Sequence, residues 1–488
     1  MVLHLDRTDE TDGDQDDADE HSEHWGSPPW DAPQDHGAAP GSRTPAARAH
    51  RRTPGPRDRL PSASVTSAPS DLPAVPPPGT RPDPAPYARP GGFPVVGVVG
   101  GGQLARMMQP AAIALGLRLR VLAEGPGTSA AQVITPVTVG AADDLGALVA
   151  FASDCDAVTF DHEHVPAAGL RAMAEVTSVQ PGADALLHAQ DKIVMRERLT
   201  ALGVPCPRWA RVADEEALRA FGADAGWPVV LKTPRGGYDG KGVLVVDSPQ
   251  DDEALATAAG WFADWAPRGG LLAEEHVPFR RELAALVARI PSGQAAAWPV
   301  VETVQAGGVC REVVAPAPDL DDELAARLSG IALAIAGGLG VTGVLAVEVF
   351  EVERTVDGVV RREVLVNELA MRPHNSGHWT IDGSVTSQFE QHLRAVLDLP
   401  LGTTAARSPW TVMVNVLGPP RIEDRHEDLY RSYLHVMAHD PGAKVHLYGK
   451  EQRPGRKLGH VTVHGDDLDT VRERARHAAA FIAGEIDQ

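Results

Sequence analysis

Short apolar runs alternate with amphipathic segments from about residue 93 onward, and this rhythm predicts a layered α/β protein. An apolar run at 94–99 leads through glycines into a helical pattern that reaches residue 108, and further apolar runs lie at 117–122 and 157–160. Strand, helix and strand in this order are typical of a parallel sheet with crossover helices. We therefore predict a parallel-sheet N-terminal domain over residues 93–195.

The rest of the chain predicts mixed α/β and α+β structure in two further domains. Apolar runs of strand length and segments with helical spacing alternate here. The predicted strands lie at 229–231, 243–246, 283–290, 344–350, 364–366 and 412–416, and the predicted helices at 196–202, 321–336 and 468–482. Arg407-Ser408-Pro409 indicates a boundary. We predict a central domain over 196–405 and a small C-terminal domain over 406–488.

Residues 1–92 have the composition of a disordered tail. An acidic block from Asp6 to Asp19 precedes a segment rich in Pro, Ala and Arg. Such a segment cannot bury enough apolar surface to offset the entropy of ordering it. It is either a solvating tail or an over-extended start of the reading frame, and the sequence does not distinguish these two interpretations.

Charge and cysteine content exclude several classes of protein. The 488 residues carry a net charge of −21, whereas a nucleic-acid-binding surface needs a basic face. The three cysteines, Cys155, Cys206 and Cys310, are too far apart for a zinc site or a disulfide framework and fit a reducing cytoplasm. No apolar run is long enough to span a bilayer. We expect a cytoplasmic protein with no nucleic-acid or membrane partner.

The chemistry is concentrated first in a glycine-dense loop between two predicted strands. Lys232 ends one strand, and the segment from Gly236 to Gly242 contains Lys241 before the next strand begins. Such a loop lets backbone N–H groups approach an anion, while the lysines supply point charges for phosphate oxygens. The Gly-Lys-Ser/Thr ending of a P-loop is missing. We predict a hairpin that covers a nucleotide, with an ordinary tight hairpin as the alternative.

Carboxylates on predicted strands supply a second constellation. Glu348 and Glu368 are flanked by apolar strand residues, and a buried carboxylate needs a cation or donor. Since Mg²⁺ binds one or two carboxylates together with phosphate oxygens, this pair beside the loop predicts an ATP–Mg²⁺ site. The alternative is surface-facing glutamates on an edge strand. Glu274 and Glu282 could place carboxylates at the amino group and the ribose hydroxyls of the nucleotide.

Two further segments are rich in hydrogen-bond donors. Residues 370–380 combine a guanidinium, two imidazoles, an amide and a hydroxyl, and such loops often bind anionic substrates. The basic segment 450–457 could clamp a phosphate or be a solvated turn.

Together these segments resemble the N5-carboxyaminoimidazole ribonucleotide synthases of the ATP-grasp superfamily. The resemblance covers residues 93–465, and Pro373-His374-Asn375-Ser376-Gly377-His378-Trp379-Thr380 is its most specific part. The segments that carry it occur in family order at 101–107, 190–192, 236–242, 367–370, 372–380 and 453–457.

The resemblance implies an ATP-grasp architecture: a Rossmann-like pre-ATP-grasp domain, a central ATP-grasp domain and a small C-terminal domain. It also implies a carbon–nitrogen ligase of de novo purine biosynthesis. Such an enzyme joins ATP, bicarbonate and 5-aminoimidazole ribonucleotide through carboxyphosphate, giving the N5-carboxylated product, ADP and phosphate. Mg²⁺, with Mn²⁺ as an alternative, would be the metal, and a homodimer the assembly.

The resemblance also assigns roles to individual positions. Glu348 and Glu368 would bind the metal. ATP would contact Lys192, Lys232, Gly237, Tyr238, Asp239, Gly240, Lys241, Gly242, Val243, Glu274, Glu275, His276, Val277, Glu282, Asn367 and Glu368. The ribonucleotide and bicarbonate would contact Gln103, Glu163, Tyr238, Arg372, His374, Asn375, Ser376, Lys450, Arg456 and Lys457. Arg372, His374, Asn375, Lys450 and Asp239 would be catalytic, with Asp239 and His374 both candidates for the base.

Three departures from the family pattern leave these contacts in place. Val243 replaces a common Gln, Asp161-His162-Glu163-His164 replaces Glu-Phe-Glu-Asn, and Glu302-Thr303 lacks an expected Asn. The second change bears on the role of Glu163. His162 and His164 have the spacing of a metal pair, although alternating histidines are more often structural.

Other functions remain as alternatives. They are another ATP-grasp ligase, such as a formate-using transformylase or a biotin carboxylase; a dinucleotide-binding oxidoreductase built on Gly97–Gly102; and a non-catalytic homologue. The segment 372–380 disfavours another ATP-grasp ligase, and the missing G-x-G-x-x-G spacing disfavours the oxidoreductase. The presence of Lys232, Glu348 and Glu368 disfavours a non-catalytic homologue.

We predict that deletion of residues 1–90 leaves activity unchanged, because the tail contributes no chemistry-bearing motif. The steady-state rate of the truncated protein, compared with the full chain at equal concentration, tests this. A large loss of activity would contradict the prediction and show that the tail is ordered or functional.

Overall fold

A parallel sheet forms the N-terminal part of the computed structural model, which describes residues 92–236, 242–356, 358–419, 421 and 429–486. Its order is β3-β2-β1-β4-β5, and every neighbouring pair is parallel. The elements are β1 (Val95–Val99), α1 (Gln103–Ala114), β2 (Arg118–Ala123), β3 (Val137–Val139), α2 (Leu145–Ser153), β4 (Ala157–Phe160), α3 (Ala167–Ala174), β5 (Ser178–Val179) and α4 (Ala183–Gln190). The predicted parallel sheet is confirmed.

A small antiparallel sheet follows, in the order β6-β9-β7-β8. Its elements are α5 (Lys192–Ala201), β6 (Trp209–Val212), α6 (Glu215–Ala225), β7 (Val229–Lys232), β8 (Val243–Val246), α7 (Asp252–Trp265) and β9 (Leu271–Glu275). Lys232 pairs with Val243 across the β7–β8 hairpin, so the glycine-rich segment connects two strands as predicted. Residues 237–241 of that segment lie outside the described residues.

A nine-stranded sheet forms the rest of the fold. Its strands are β10 (Arg281–Arg289), β11 (Ala295–Ala297), β12 (Val301–Ala306), β13 (Val309–Ala315), β14 (Gly343–Val356), β15 (Val359–Ala370), β16 (Trp410–Leu417), β17 (Lys444–Leu447) and β18 (Lys457–Gly465). The associated helices are α8 (Asp322–Gly338), α9 (Thr380–Gly383), α10 (Gln388–Val396), α11 (Ser432–His439) and α12 (Leu468–Ala483). Because β13 pairs with β16, the sheet is continuous across the boundary predicted near residue 405.

His392 joins the parallel sheet to the nine-stranded sheet. It is fully buried on α10; its Nδ1 accepts a bond of 3.0 Å from the Val344 N–H, and its Nε2 lies 2.7 Å from Thr159 Oγ1 on β4. Since a backbone N–H donates to Nδ1, the proton of the neutral ring is on Nε2, which donates to Thr159. Burial lowers the pKa of His392 to about 3, so this bridge is uncharged near neutral pH.

None of the helices within the described ranges combines the length and apolarity needed to cross a membrane.

We predict that Gly343→Ala destabilises the protein. Gly343 has φ +104°, and an added Cβ would lie 2.7 Å from Cε1 of His392. Strained backbone and a displaced bridge together should lower the free energy of unfolding by about 3 kcal/mol, seen as a melting temperature several degrees lower. Gly330→Ala is the matched control, since an added Cβ meets nothing within 4 Å there. Equal melting temperatures for the two variants would contradict the prediction.

Candidate active site

Three glutamates share one face of the nine-stranded sheet. Glu348 on β14 is opposite Glu368 on β15, and Glu282 on β10 is two residues from Ala284, which pairs with Glu348. Opposite residues of an antiparallel pair, and residues two apart along a strand, point to the same face. The structure therefore brings together the two carboxylates predicted as metal ligands and adds Glu282 beside them.

Burial and mutual repulsion raise the pKa values of two of these glutamates, Glu348 and Glu282. Burial, with repulsion from Glu368 and Glu282, raises the pKa of Glu348 to about 8. Burial and Glu368 raise the pKa of Glu282 to about 7. A cation bound at this face would favour the charged forms of both carboxyl groups.

The donor set fits Mg²⁺ held together with a phosphate. In the described part of the chain, no group of three or more His, Cys, Asp or Glu residues is arranged to hold a metal ion by itself. Two carboxylate ligands leave the other coordination positions to phosphate oxygens and water, which is the usual mode for Mg²⁺ in nucleotide sites.

Two lysines that are predicted to contact ATP lie near the glutamates, on elements outside the nine-stranded sheet. Lys192, at the start of α5, has its Nζ 3.9 Å from Glu368 Oε1. Lys232, at the end of β7, has its Nζ 2.7 Å from Glu274 Oε2 and 3.1 Å from Asn367 Oδ1. The side chain of Lys232 is only 9% exposed. Lys192 on α5 and Lys232 on the small sheet thus meet residues 367 and 368 of the nine-stranded sheet, and we call the region where they meet the cleft.

Glu274 is engaged by two cations of the fold. Glu274 is only 2% exposed, and its two oxygens pair with Lys232 and with Arg196 Nε at 2.5 Å. Burial alone would raise the pKa of Glu274, but the two cations outweigh it and lower that pKa to about 2. Both carboxylate oxygens of Glu274 therefore hold buried cations, and its predicted position near the adenine stays a prediction.

The neighbours of Glu274 form the end of β9. Glu275 accepts a bond of 2.9 Å from the Arg208 N–H, the His276 N–H donates to Pro228 O at 3.3 Å, and Val277 is buried. Their predicted contacts with ATP stay predictions.

Glu163 holds Arg372 at the start of the donor-rich segment. Its Oε1 accepts from the Met371 N–H at 3.1 Å and its Oε2 from Arg372 Nε at 2.7 Å. Both carboxylate oxygens of Glu163 therefore accept hydrogen bonds from the donor-rich segment. The predicted approach of Glu163 to the aminoimidazole stays a prediction.

His374 contacts the glutamate cluster directly. Its Nε2 lies 3.2 Å from Glu348 Oε1, and its Nδ1 lies 2.9 Å from Ser376 Oγ and accepts from the Ser376 N–H. Burial, Arg372 and Lys457 lower the pKa of His374 to about 3, so the ring is neutral.

Gln388, which no local sequence feature indicates, fixes the backbone at His374. Its Oε1 accepts from the His374 N–H and its Nε2 donates to the His374 carbonyl, both at 2.8 Å. Gln388 is fully buried, so these bonds do not compete with water.

The N-terminal and C-terminal parts meet at a second donor cluster. Lys450 Nζ lies 2.5 Å from Oε1 of Gln103, 347 positions earlier. Ser129 Oγ donates to the Tyr448 carbonyl at 2.6 Å, and Gln132 Nε2 donates to the Gly449 carbonyl at 2.7 Å. These bonds place Lys450 at the N-terminus of α1.

Apart from Asn375, whose Nδ2 atom is buried, the remaining predicted residues fall into three groups. Lys457 at the start of β18 is close enough to influence the pKa values of Glu348 and His374, whereas Arg456 contacts the Glu451 carbonyl at 3.4 Å. Gly242 accepts from the Thr233 N–H at 2.9 Å, and Val243 begins β8. Five lie outside the described residues: Gly237, Tyr238, Asp239, Gly240 and Lys241.

Family models match three consecutive segments of the chain. A ribonucleotide synthetase preATP-grasp domain matches residues 94–190, an ATP-grasp domain 197–389, and a phosphoribosylaminoimidazole carboxylase C-terminal domain 411–474.

Three relatives that each match 80% of this chain are named as synthases or synthetases of one kind. The N5-carboxyaminoimidazole ribonucleotide synthase of Mycobacterium tuberculosis is 52% identical over 394 residues, covering 80% of this chain and 88% of that protein. The crystal structure of the synthetase from Thermus thermophilus is 38% identical, with TM-score 0.68, over 80% of this chain and 99% of that one. The Aspergillus clavatus synthase in complex with ADP and 5-aminoimidazole ribonucleotide is 28% identical, with TM-score 0.69, over 80% and 98%. The chain belongs to the N5-carboxyaminoimidazole ribonucleotide synthase family, within the ATP-grasp fold.

We predict that Glu348→Gln stabilises the ligand-free protein increasingly as pH rises from about 4.5 to about 8. The carboxyl pKa is about 8 in the fold against 4.5 for an unperturbed Glu, so the wild type loses stability across this window. Since one pKa unit is about 1.4 kcal/mol, the gain above pH 8 should be on the order of 2 kcal/mol after allowance for partial solvation.

Thermal unfolding in EDTA at several pH values tests this. Glu353→Gln, which removes an exposed carboxyl on the same strand, is the control and should show no such trend. A gain that does not depend on pH would contradict the prediction.

Proposed function

We propose that this protein carboxylates 5-aminoimidazole ribonucleotide with bicarbonate at the expense of ATP, giving N5-carboxyaminoimidazole ribonucleotide, ADP and phosphate. The observation that carries the proposal is the meeting of Glu348 and Glu368 with Lys192, Lys232 and the donor segment around His374 in one cleft. The proposal places the protein in de novo purine biosynthesis, as the names of its relatives support.

ATP is proposed to bind between the small sheet and the nine-stranded sheet. Glu348 and Glu368 would hold Mg²⁺, or Mn²⁺ in its place, and the metal would offset charge on the phosphates when bound. Lys192 and Lys232 would contact phosphate oxygens, and the segment 237–243 would cover them. Glu282, beside the metal carboxylates, would face the ribose.

In the first step an oxygen of bicarbonate attacks the γ-phosphorus and the bond to ADP breaks, which leaves carboxyphosphate. Bicarbonate is a weak electrophile toward an amine, and phosphorylation supplies it with a leaving group. We propose that Arg372 and Asn375 orient the bicarbonate. Glu163 holds Arg372, and a guanidinium can donate two parallel hydrogen bonds to carboxylate-like oxygens. Fixed donors of this kind stabilise charge as it develops on the transferring group.

In the second step the exocyclic amine attacks the carbon of carboxyphosphate, phosphate leaves and the amine loses a proton. His374 receives a bond at Nδ1 from the Ser376 N–H and faces Glu348 with Nε2. These contacts favour a positioning role for His374, and leave Asp239 as the candidate base. Gln103, Ser376, Lys450, Arg456 and Lys457 are proposed to bind the ribonucleotide and its phosphate.

Neighbouring side chains pack closely against the glycines that indicated a dinucleotide site as an alternative. A Cβ on Gly97 would lie 2.7 Å from Cys155 Sγ, one on Gly101 2.4 Å from Thr128 Oγ1, and one on Gly102 1.9 Å from Asp161 Oδ2. These close approaches explain the glycine run without a nicotinamide cofactor.

We further propose a cytoplasmic homodimer, as the resemblance implies. Sedimentation of the purified chain would give the mass of the assembly, and a monomer at micromolar concentration would contradict this part of the proposal.

The reaction is tested by ADP release with Mg·ATP, with and without 5-aminoimidazole ribonucleotide and with and without added bicarbonate. We expect release that requires the ribonucleotide and rises with bicarbonate. No release with this ribonucleotide would exclude the proposed substrate and require another small amine or carboxylate.

We predict that Lys232→Ala and Glu368→Ala each lower turnover by at least about 100-fold, because both charges act on the transferring phosphoryl group. The folds should stay intact: Arg196 still neutralises Glu274 in the first variant, and the second relieves repulsion at Glu348. Initial rates and melting temperatures measure the two effects. Near-wild-type turnover in either variant would remove that residue from the site.

A further inference from the structure

Arg196 lies under the proposed ATP cleft without a role in the scheme above. Its side chain is fully buried on α5, one turn after Lys192. Its Nε donates to Glu274 Oε1 at 2.5 Å and its Nη2 donates to the carbonyl of Asn367 at 2.7 Å. A buried arginine is costly unless its partners compensate it, so this position invites a functional explanation.

The contacts of Arg196 connect the two walls of the cleft. Glu274 belongs to the small sheet, on β9 beside β7, while Asn367 belongs to β15 of the nine-stranded sheet and precedes Glu368. Asn367 also accepts from Lys232 through its side-chain oxygen at 3.1 Å. Arg196 therefore touches both residues that hold the ammonium of Lys232.

Lys232, Glu274 and Arg196 together carry a net positive charge, whereas Lys232 and Glu274 without Arg196 carry none. Lys232 and Glu274 alone form a neutral pair at 2.7 Å, and Arg196 adds a second positive charge to the same carboxylate. In the poorly solvated floor of the cleft, a neutral pair would attract a phosphate weakly. With Arg196 the three groups carry a net charge of about +1, and Lys232 has the most exposed side chain of the three, at 9% against 0% for Arg196 and 3% for Glu274.

We propose that Arg196 is a positioning residue that neutralises Glu274 and so makes the positive charge of Lys232 available to the phosphates of ATP. The inference rests on the proposed binding of ATP in this cleft. It predicts that the charge of Arg196, and not its volume, sets nucleotide affinity.

The test is calorimetric binding of Mg·ADP to the full chain, which does not require turnover. Arg196→Met should weaken binding about tenfold or more, because it leaves Glu274 to neutralise Lys232. Arg196→Lys should stay within about threefold of wild type, since it keeps the charge. Arg472→Met is the matched control: it also removes an arginine paired with a buried glutamate, Glu312, but on α12 away from the cleft, and should bind normally.

The decisive variant is Arg196→Met combined with Glu274→Gln. This double variant removes both charges, leaves no buried carboxylate unpaired and returns the surplus to Lys232. It should bind Mg·ADP several-fold more tightly than Arg196→Met alone.

Three results would overturn the inference: a double variant no tighter than the single one, Arg196→Lys as weak as Arg196→Met, or unchanged binding in Arg196→Met. If Arg196→Met fails to fold, the double variant and Arg196→Lys still decide, since each should bind close to wild type. Wild-type chain that binds Mg·ADP but does not carboxylate the ribonucleotide would refute the proposed reaction and leave this inference standing.

Discussion

Mutual repulsion among Glu282, Glu348 and Glu368 is the constraint on which the arrangement of the site depends. Burial, together with like charges on adjacent strands, raises the pKa of Glu348 to about 8 and that of Glu282 to about 7. The surrounding chain supplies Lys192, Lys232 and Lys457 as partial compensation, but the cluster keeps its raised pKa values. Binding of a metal–nucleotide complex to these carboxylates would therefore stabilise the folded protein, which couples ligand binding to the stability of the fold.

Holding these charges together requires contacts between distant parts of the chain. His392 bridges the parallel sheet and the nine-stranded sheet, and the bond from Ser129 to the Tyr448 carbonyl ties the C-terminal hairpin to the same parallel sheet. These contacts are neutral and buried, so they are insensitive to salt and to pH near neutrality. The charged residues can then face the cleft while uncharged hydrogen bonds fix the walls.

Much of this site could be predicted from local sequence, and the limits have a physical reason. Glu348 and Glu368 stand out because a carboxylate inside an apolar strand must face a partner, and Lys232 stands out because glycines follow it. Arg196 and Gln388 sit on helices with ordinary polar neighbours, where nothing local distinguishes a buried polar side chain from an exposed one. Their partners lie 78 and 14 residues away, respectively, across the fold. In the same way, nothing in the local sequence indicates that Arg196 and Lys232 engage Glu274.

In the proposed reaction, bicarbonate is phosphorylated in this cleft before it meets the amine. The most direct measurement supplies ¹⁸O-labelled bicarbonate with Mg·ATP and 5-aminoimidazole ribonucleotide and determines the isotope content of the released phosphate. We expect one ¹⁸O atom to be transferred from bicarbonate to each phosphate, because the oxygen that attacks phosphorus stays with it when the carbon–oxygen bond breaks. Unlabelled phosphate, formed together with carboxylated product, would contradict the account.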